Sequence, residues 1–167
     1  REEVREVLGV PAPLTRVPGA RSWILGLANV RGQLLPIIAL RQFLGGTGLE
    51  LQQFGPTPQR QSLVARIEGT DPTAPSLCLM GHTDVVPVNA AGWTRDPFGG
   101  ELVDGPSGPE VWGRGAVDML NLTSSMAVAF RHLATTGFRP KGDLIYFAVA
   151  DEESGSAHGM RWMADHE

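Results

Sequence analysis

One apolar run most constrains what this chain can fold into. It is DLIYFAVA, residues 143–150, and it ends directly on the acidic triplet Asp151, Glu152 and Glu153. A short run of this kind, rich in β-branched and aromatic residues, is typical of a strand buried on both faces of an α/β sheet. Ligands of such sheets bind beyond the carboxyl ends of the strands. The run therefore predicts an α/β fold with a chemically useful sheet edge.

A second apolar run has the same arrangement. SLCLM, residues 76–80, is predicted to be a central parallel strand, and it leads into GHTDVVP, which carries His82 and Asp84. If the two runs are neighbouring parallel strands, their carboxyl ends lie at one edge of the sheet. The histidine and the carboxylates could then meet in one crevice.

The candidate functional residues are therefore His82, Asp84, Asp118, Glu152 and Glu153. Imidazole and carboxylate ligands together suit zinc and related divalent ions. A metal-binding histidine usually donates its second ring N–H to a carboxylate or carbonyl, and one of two adjacent carboxylates can serve as a general base. The alternative is a solvated acidic turn that caps a helix. The spacing alone leaves both interpretations open.

Two helices are predicted around these strands. Leu122, Met126, Phe130 and Leu133 recur at helical spacing, and Gly137 can end that helix. The segment SAHGMRWMADH, residues 156–166, predicts a second helix, with Ser154 or Ser156 as its N-cap. The stretch EVWG, residues 110–113, predicts a further strand.

The residues that precede these elements have a different sequence pattern. WILGLANV and QLLPIIAL, residues 23–30 and 33–40, predict two strands joined by a turn at residues 31–32, and Pro36 favours an edge strand or a bulge. A stretch rich in Gly, Pro and Gln follows. We therefore predict a β-rich segment over residues 1–46, a linker over 47–61 and an α/β domain over 62–167.

Composition excludes several classes of function. The net charge is −4 and no Lys/Arg cluster occurs, which argues against a nucleic-acid partner. No stretch approaches the roughly 18 apolar residues of a membrane span. The single cysteine, Cys78, permits no internal disulfide. With no signal peptide visible, we expect a cytoplasmic protein without a membrane partner.

Three ordered motifs carry a resemblance to a known family. LMGHTDVVP, VWGRGAVDM and FAVADEESGS closely resemble the N-terminal half of the catalytic domain of M20 zinc metallopeptidases and deacylases. The resemblance runs from about residue 62 to residue 167. It implies a central, mostly parallel sheet with flanking helices. It also implies zinc-dependent hydrolysis of amide bonds in peptides or N-acyl amino acids.

The resemblance also implies roles for the candidate residues. His82, Asp118 and Glu153 would bind two zinc ions, with Asp118 bridging them. Asp84 would orient His82, and Glu152 would be the general base. The family pattern includes a further carboxylate and a further histidine that lie outside this sequence. We therefore expect an incomplete ligand set, and the activity of this chain is left open.

The N-terminal segment resembles a different family. Residues 4–44, and GLANVRGQLLPIIAL (26–40) in particular, are similar to part of a CheW-like adaptor domain of chemotaxis and type IV pilus signalling. This resemblance implies a signalling-protein partner and no catalytic residue. A non-catalytic adaptor is therefore the alternative to the hydrolase, and the two abutting resemblances indicate a chimera.

Overall fold

The computed structural model describes residues 14–30 and 33–166. It begins with an antiparallel pair of strands, β1 (Ile24–Val30) and β2 (Gln33–Ile38), in which Val30 lies opposite Gln33. This confirms the two predicted strands, while the predicted turn at 31–32 lies outside the described residues. Pro36 pairs with Leu27 in this two-stranded sheet, so it occupies an edge strand, where its missing N–H is tolerated.

Helix α1 (Leu40–Gly45) follows directly. It packs beside Trp23, whose ring meets that of Phe43 edge-on with centroids 5.2 Å apart. The remaining elements are β3 (Leu51–Phe54), β4 (Ser62–Ile67), β5 (Leu77–His82), β6 (Glu101–Gly105), β7 (Gly108–Trp112), α2 (Leu120–Thr135), β8 (Leu144–Val149) and α3 (Met160–His166).

A four-stranded sheet in the order β3-β4-β8-β5 forms the centre of the fold. Only β5 and β8 pair in parallel, whereas β3 with β4 and β4 with β8 are antiparallel. The mixed α/β class is confirmed, whereas the prediction of a mostly parallel sheet is only partly borne out, because one of the three strand pairs is parallel. The reason is the β3–β4 hairpin, which extends the sheet on the side of β8 opposite to β5.

Strand β5 was expected at the centre of the sheet and lies at its edge. Leu77 and Met80 are 60% and 50% exposed, and Cys78 is also exposed. The apolar character of this run correctly predicted a strand in a parallel pair. It did not reveal that only one side of the strand would be paired among the described residues.

Strand β3 lies inside the range 47–61 that the sequence predicts as a linker. It pairs along its length with β4, from Leu51 opposite Ala65 to Phe54 opposite Ser62. The sequence does not predict this strand because Gln52 and Gln53, its two central residues, are both exposed and give it a polar appearance. The division of the chain into domains remains a prediction.

Helix α2 confirms the predicted spacing. Phe130 is fully buried, Met126 and Leu133 pack against the core, and Leu122 at the first turn is half exposed. Gly137 follows the C-cap with φ +74°, and the N–H of Phe138 donates to the carbonyl of Leu133. This closing turn needs a residue in the left-handed region, which glycine adopts without a Cβ clash.

Helix α3 begins at Met160, later than expected from either predicted N-cap. Gly155 and Ser156 have φ of +90° and +61°, so right-handed helix cannot start before them. The strand predicted at 110–113 is confirmed as the end of β7, which pairs with β6 in a separate hairpin.

The hydrophobic core lies between the sheet and the helices. Tyr146, Phe130 and Leu44 are fully buried, and they bring together β8, α2 and α1. In the part of the chain described, no helix is both long and apolar enough to cross a bilayer.

Candidate metal centre

The ends of the parallel pair bring three candidate ligands together. His82 is the last residue of β5 and lies opposite Val149 of β8, three residues before Glu152. One ligand atom each from His82, Glu152 and Glu153 lies within 4.8 Å of the others. The imidazole is buried, Glu153 is half-buried and Glu152 is exposed. The polar residues at the ends of the two apolar strands therefore lie close together, as the sequence predicts.

Asp118 approaches the same point from the loop before α2. Its Oδ1 lies 3.1 Å from Nε2 of His82, and Glu152 Oε2 lies 3.8 Å from that nitrogen. The carboxylate of Asp118 is 73% exposed. One ring nitrogen of a buried histidine thus faces two carboxylates that reach outward to solvent.

Asp84 contacts the site in two ways. Its carbonyl oxygen lies 2.9 Å from His82 Nδ1, whereas its carboxylate Oδ1 is 3.7 Å from that nitrogen. The carboxylate instead accepts the backbone N–H groups of Glu152 and Glu153, at 3.1 and 3.0 Å. Because a carbonyl only accepts, Nδ1 must carry the hydrogen, which leaves Nε2 as the atom that can bind a metal.

The charges around His82 favour its protonated form. Burial of the ring lowers its pKa, but the hydrogen bonds to the Asp84 carbonyl and the Asp118 carboxylate act against this. The negative charges of Asp84 and Glu152 also raise it. These hydrogen bonds and charges together outweigh burial, so the pKa of His82 lies above its ordinary value. The carboxylates of Asp118 and Glu152 thus place negative charge around Nε2 of His82.

A hydrogen-bonded support beneath His82 was not predicted from the sequence. The hydroxyl of Thr123 donates to the His82 carbonyl at 2.8 Å, and the Tyr146 hydroxyl donates to the Thr123 carbonyl at 3.1 Å. Burial raises the pKa of Tyr146 to about 12. Gly81 allows this approach, because a Cβ there would lie 2.5 Å from the Thr123 hydroxyl oxygen. This contact becomes visible only once α2 is packed on β5.

A second unpredicted group lies behind the acidic triplet. The Asp151 carboxylate is buried and contacts Arg60 Nη1 at 2.6 Å and His158 Nδ1 at 3.0 Å. His158 precedes α3 and is half-buried against Asp151.

The donor set fits a divalent metal. Zinc bonds to nitrogen and oxygen are about 2 Å long, and imidazole with carboxylates is a common ligand combination. Ligand atoms within 4.8 Å of one another can share an ion after small side-chain movements. The buried, raised-pKa imidazole is oriented through its other nitrogen, as is usual for a metal-binding histidine.

Comparison with known proteins decides the family. The sequence model of peptidase family M20/M25/M40 matches residues 78–167, more than half of the chain. The chain belongs to this family. Residues 2–70 match the model of the CheW-like domain, so the N-terminal resemblance is also confirmed.

Curated relatives of the M20-family chain include two succinyl-diaminopimelate desuccinylases. That of Rhodopseudomonas palustris is 41% identical over 118 residues, which cover 65% of this chain and 28% of the relative. That of Cereibacter sphaeroides is 47% identical over 90 residues, covering 50% and 22%. The chain therefore spans less than a third of the length of the curated relatives that it matches.

A solved structure with a similar fold is human carnosine dipeptidase 1. It superposes with a TM-score of 0.51 at 24% sequence identity, over 70% of this chain and 26% of that protein. At this identity the similarity establishes the fold of the matched part.

Proposed function

We propose that this chain carries part of a zinc-dependent hydrolase site of the M20 type, which cleaves amide bonds in peptides or N-acyl amino acids. The observation that carries the proposal is the convergence of His82, Glu152 and Glu153 within 4.8 Å at the ends of two parallel strands. A solvated capping turn would not require a buried histidine on the neighbouring strand. The buried His82 therefore favours a metal site over a solvated capping turn as the interpretation of the acidic triplet.

In this proposal His82, Asp118 and Glu153 are the metal ligands. The Nε2 of His82 is supported as a ligand by the Asp84 carbonyl, which holds the other nitrogen as a donor. Asp118 is supported as a shared ligand by its position 3.1 Å from Nε2 and by its exposure to solvent. Glu153 is supported by its place in the three-residue cluster.

Asp84 is then a positioning residue for both halves of the site. It orients His82 mainly through its carbonyl, while its carboxylate holds the amides of Glu152 and Glu153. The substitution Asp84→Asn would retain the backbone carbonyl contact with His82 and weaken the side-chain contacts with the two glutamate amides. The proposal thus gives one residue two separable tasks.

Glu152 is proposed as the general base. It is more exposed than the adjacent Glu153, and its Oε2 lies 3.8 Å from Nε2, the proposed ligand atom of His82. Zinc, when bound, would polarise the scissile carbonyl and lower the pKa of an attacking water. The Glu152 carboxylate would accept the proton from that water and then transfer it to the leaving amine nitrogen.

The substrate class is proposed from the relatives. Both named relatives are desuccinylases, so an N-succinyl amino acid is the first substrate to test, with N-acetyl amino acids next. The partner of the site is thus a small acylated amino acid or a peptide. The whole-protein activity of the relatives is a proposal here, because the chain spans 28% of the longer match.

The experiment is an assay of amine release with the chain, zinc and an N-succinyl amino acid. The variant Glu152→Gln keeps the shape of the side chain and removes the base, so we expect the rate to fall by about 10²–10⁴-fold. The control Glu101→Gln changes an exposed acid on β6 and should retain the rate. Equal rates in the wild type and Glu152→Gln would contradict the assignment of Glu152.

A second candidate function is a non-catalytic signalling adaptor. It is favoured by the match of residues 2–70 to the CheW-like domain. An adaptor should bind a receptor or kinase segment equally well after Asp118→Ala and Glu153→Ala. Loss of binding in those variants would argue against it.

A further inference from the structure

We propose that Asp151, held by Arg60 and His158, is a positioning residue that sets the turn carrying Glu152 and Glu153. This inference rests on the proposed function of that same site. It adds residues that the motif does not reveal, since Arg60 lies 91 positions earlier in the sequence.

The contacts of Asp151 leave neither of its oxygens free. Its side chain is 5% exposed, Oδ1 accepts from Arg60 Nη1 at 2.6 Å, and Oδ2 faces His158 Nδ1 at 3.0 Å. The same Oδ2 also accepts the backbone N–H of His158 at 3.1 Å. A buried carboxylate with this set of partners is an internal anchor, because removing one partner would leave charge buried without compensation.

The backbone at Asp151 explains why an anchor is needed there. Asp151 has φ +62°, a left-handed conformation that is unfavourable for residues with a Cβ and that aspartate adopts more readily when its side chain hydrogen-bonds locally. The carbonyl of Asp151 accepts the N–H of Ser156 at 2.7 Å, which closes the turn after the strand. The left-handed backbone of Asp151 is thus maintained by the contacts of its side-chain carboxylate and by the hydrogen bond to its carbonyl.

The turn is held by two carboxylates on separate elements. Asp84 accepts the amides of Glu152 and Glu153, and Asp151 accepts that of His158. The two proposed active-site glutamates therefore lie in a turn whose backbone is hydrogen-bonded by Asp84 on one side and by Asp151 on the other. If the Asp151 anchor loosened, the glutamates would keep their chemistry and lose their placement relative to His82.

The structure offers a matched control for a merely structural ion pair. Arg66 Nη2 and Asp143 Oδ2 lie 2.7 Å apart at the opposite end of β4 and β8. Asp143 also accepts a backbone amide, that of Gly69, at 2.8 Å. Both pairs link the region of β4 to an end of β8, but only Arg60–Asp151 adjoins the glutamates. The control pair is the more exposed one, with Arg66 and Asp143 side chains 56% and 23% exposed, so it tests the loss of an ion pair between these strands rather than the loss of burial.

The experiment compares Asp151→Asn and Arg60→Gln with Asp143→Asn and Arg66→Gln. Hydrogen exchange of the Glu152 and Glu153 amides is measured by NMR in the metal-free chain, and zinc affinity is measured by calorimetry. We expect Asp151→Asn to accelerate exchange of both amides at least tenfold. Its zinc affinity should fall by about 10–100-fold, as is typical when a contact behind a metal ligand is lost. The Asp143→Asn and Arg66→Gln variants should stay within about twofold of the wild type.

Arg60→Gln keeps the experiment decisive if Asp151→Asn does not fold, since Arg60 is partly exposed and its loss leaves the His158 contacts in place. It should show the same changes to a smaller extent, and Arg60→Lys should restore part of the protection. Equal effects from both pairs, or none from Asp151→Asn and Arg60→Gln, would overturn the inference. Should the wild type bind no zinc, the proposed function fails, while the exchange measurement still decides whether Asp151 positions the turn.

Discussion

At the scale of single residues, the two nitrogens of His82 organise the site. Nδ1 is committed to the carbonyl of Asp84, and Nε2 faces Asp118 and Glu152. The sequence predicted that His82, Asp84 and Glu152 would be neighbours, because they follow two predicted parallel strands, whereas nothing in that argument placed Asp118. The sequence could not predict that Asp84 contacts the ring chiefly through its carbonyl, since that depends on how the chain turns after β5.

The raised pKa of His82 gives a prediction about pH. Zinc binding requires Nε2 without its proton, so zinc affinity should rise as pH rises through the pKa of His82. The stability of the metal-free chain should change in the opposite direction. The protonated ring stabilises the fold below its unfolded-state pKa, and this contribution is lost as pH rises through the higher folded-state value.

The two slopes are measured by calorimetry with zinc and by urea unfolding without it, between about pH 6 and 8, where histidine titrates. His82→Asn should remove the His82 contribution to the slope of stability, whereas His132→Gln, an exposed position on α2, should leave both slopes intact. Zinc affinity that is independent of pH in the wild type would contradict the placement of the metal at Nε2.

At the scale of elements, the sequence predicted which segments would be strands better than which strands would be neighbours. β8 was clear because all but one of its residues are buried. β3 was missed because exposed glutamines break its apolar pattern, and β5 was placed at the centre because an apolar run reports strand character and says nothing of pairing. Pairing depends on contacts between distant segments, which periodicity does not encode.

Leu44 tests whether α1 belongs to the same core as the proposed catalytic strands. It is fully buried in a cluster with residues of β4, α2 and β8. We expect Leu44→Ala to lower the free energy of unfolding by about 2–5 kcal/mol through lost burial and a residual cavity. Urea unfolding measures the effect.

Leu102→Ala is the matched control, because Leu102 on β6 is 73% exposed. Its free energy of unfolding should stay within about 0.5 kcal/mol of the wild type. A Leu44→Ala variant as stable as this control would show that α1 is not part of the cooperative core.

At the scale of the whole molecule, elements from the two regions matched by family models pack against one another. The CheW-like match over residues 2–70 includes α1, β3 and β4, while β8 and all of β5 except Leu77 lie in the M20 match over 78–167. Yet β4 pairs with β8, and Arg131 of α2 donates to the carbonyl of Phe43 at 3.0 Å. Segments from both matched regions therefore build one sheet and one core.

The measurement that most directly tests the central claim is a calorimetric titration of the chain with zinc. Glu153→Ala and Asp118→Ala each remove one proposed ligand, and Glu68→Ala removes an exposed acid just after β4 as a control. We predict saturable binding in the wild type and the control, and at least tenfold weaker binding in the other two variants. Absence of binding in the wild type, or equal binding in all four proteins, would contradict the proposal that these strand ends form a metal centre.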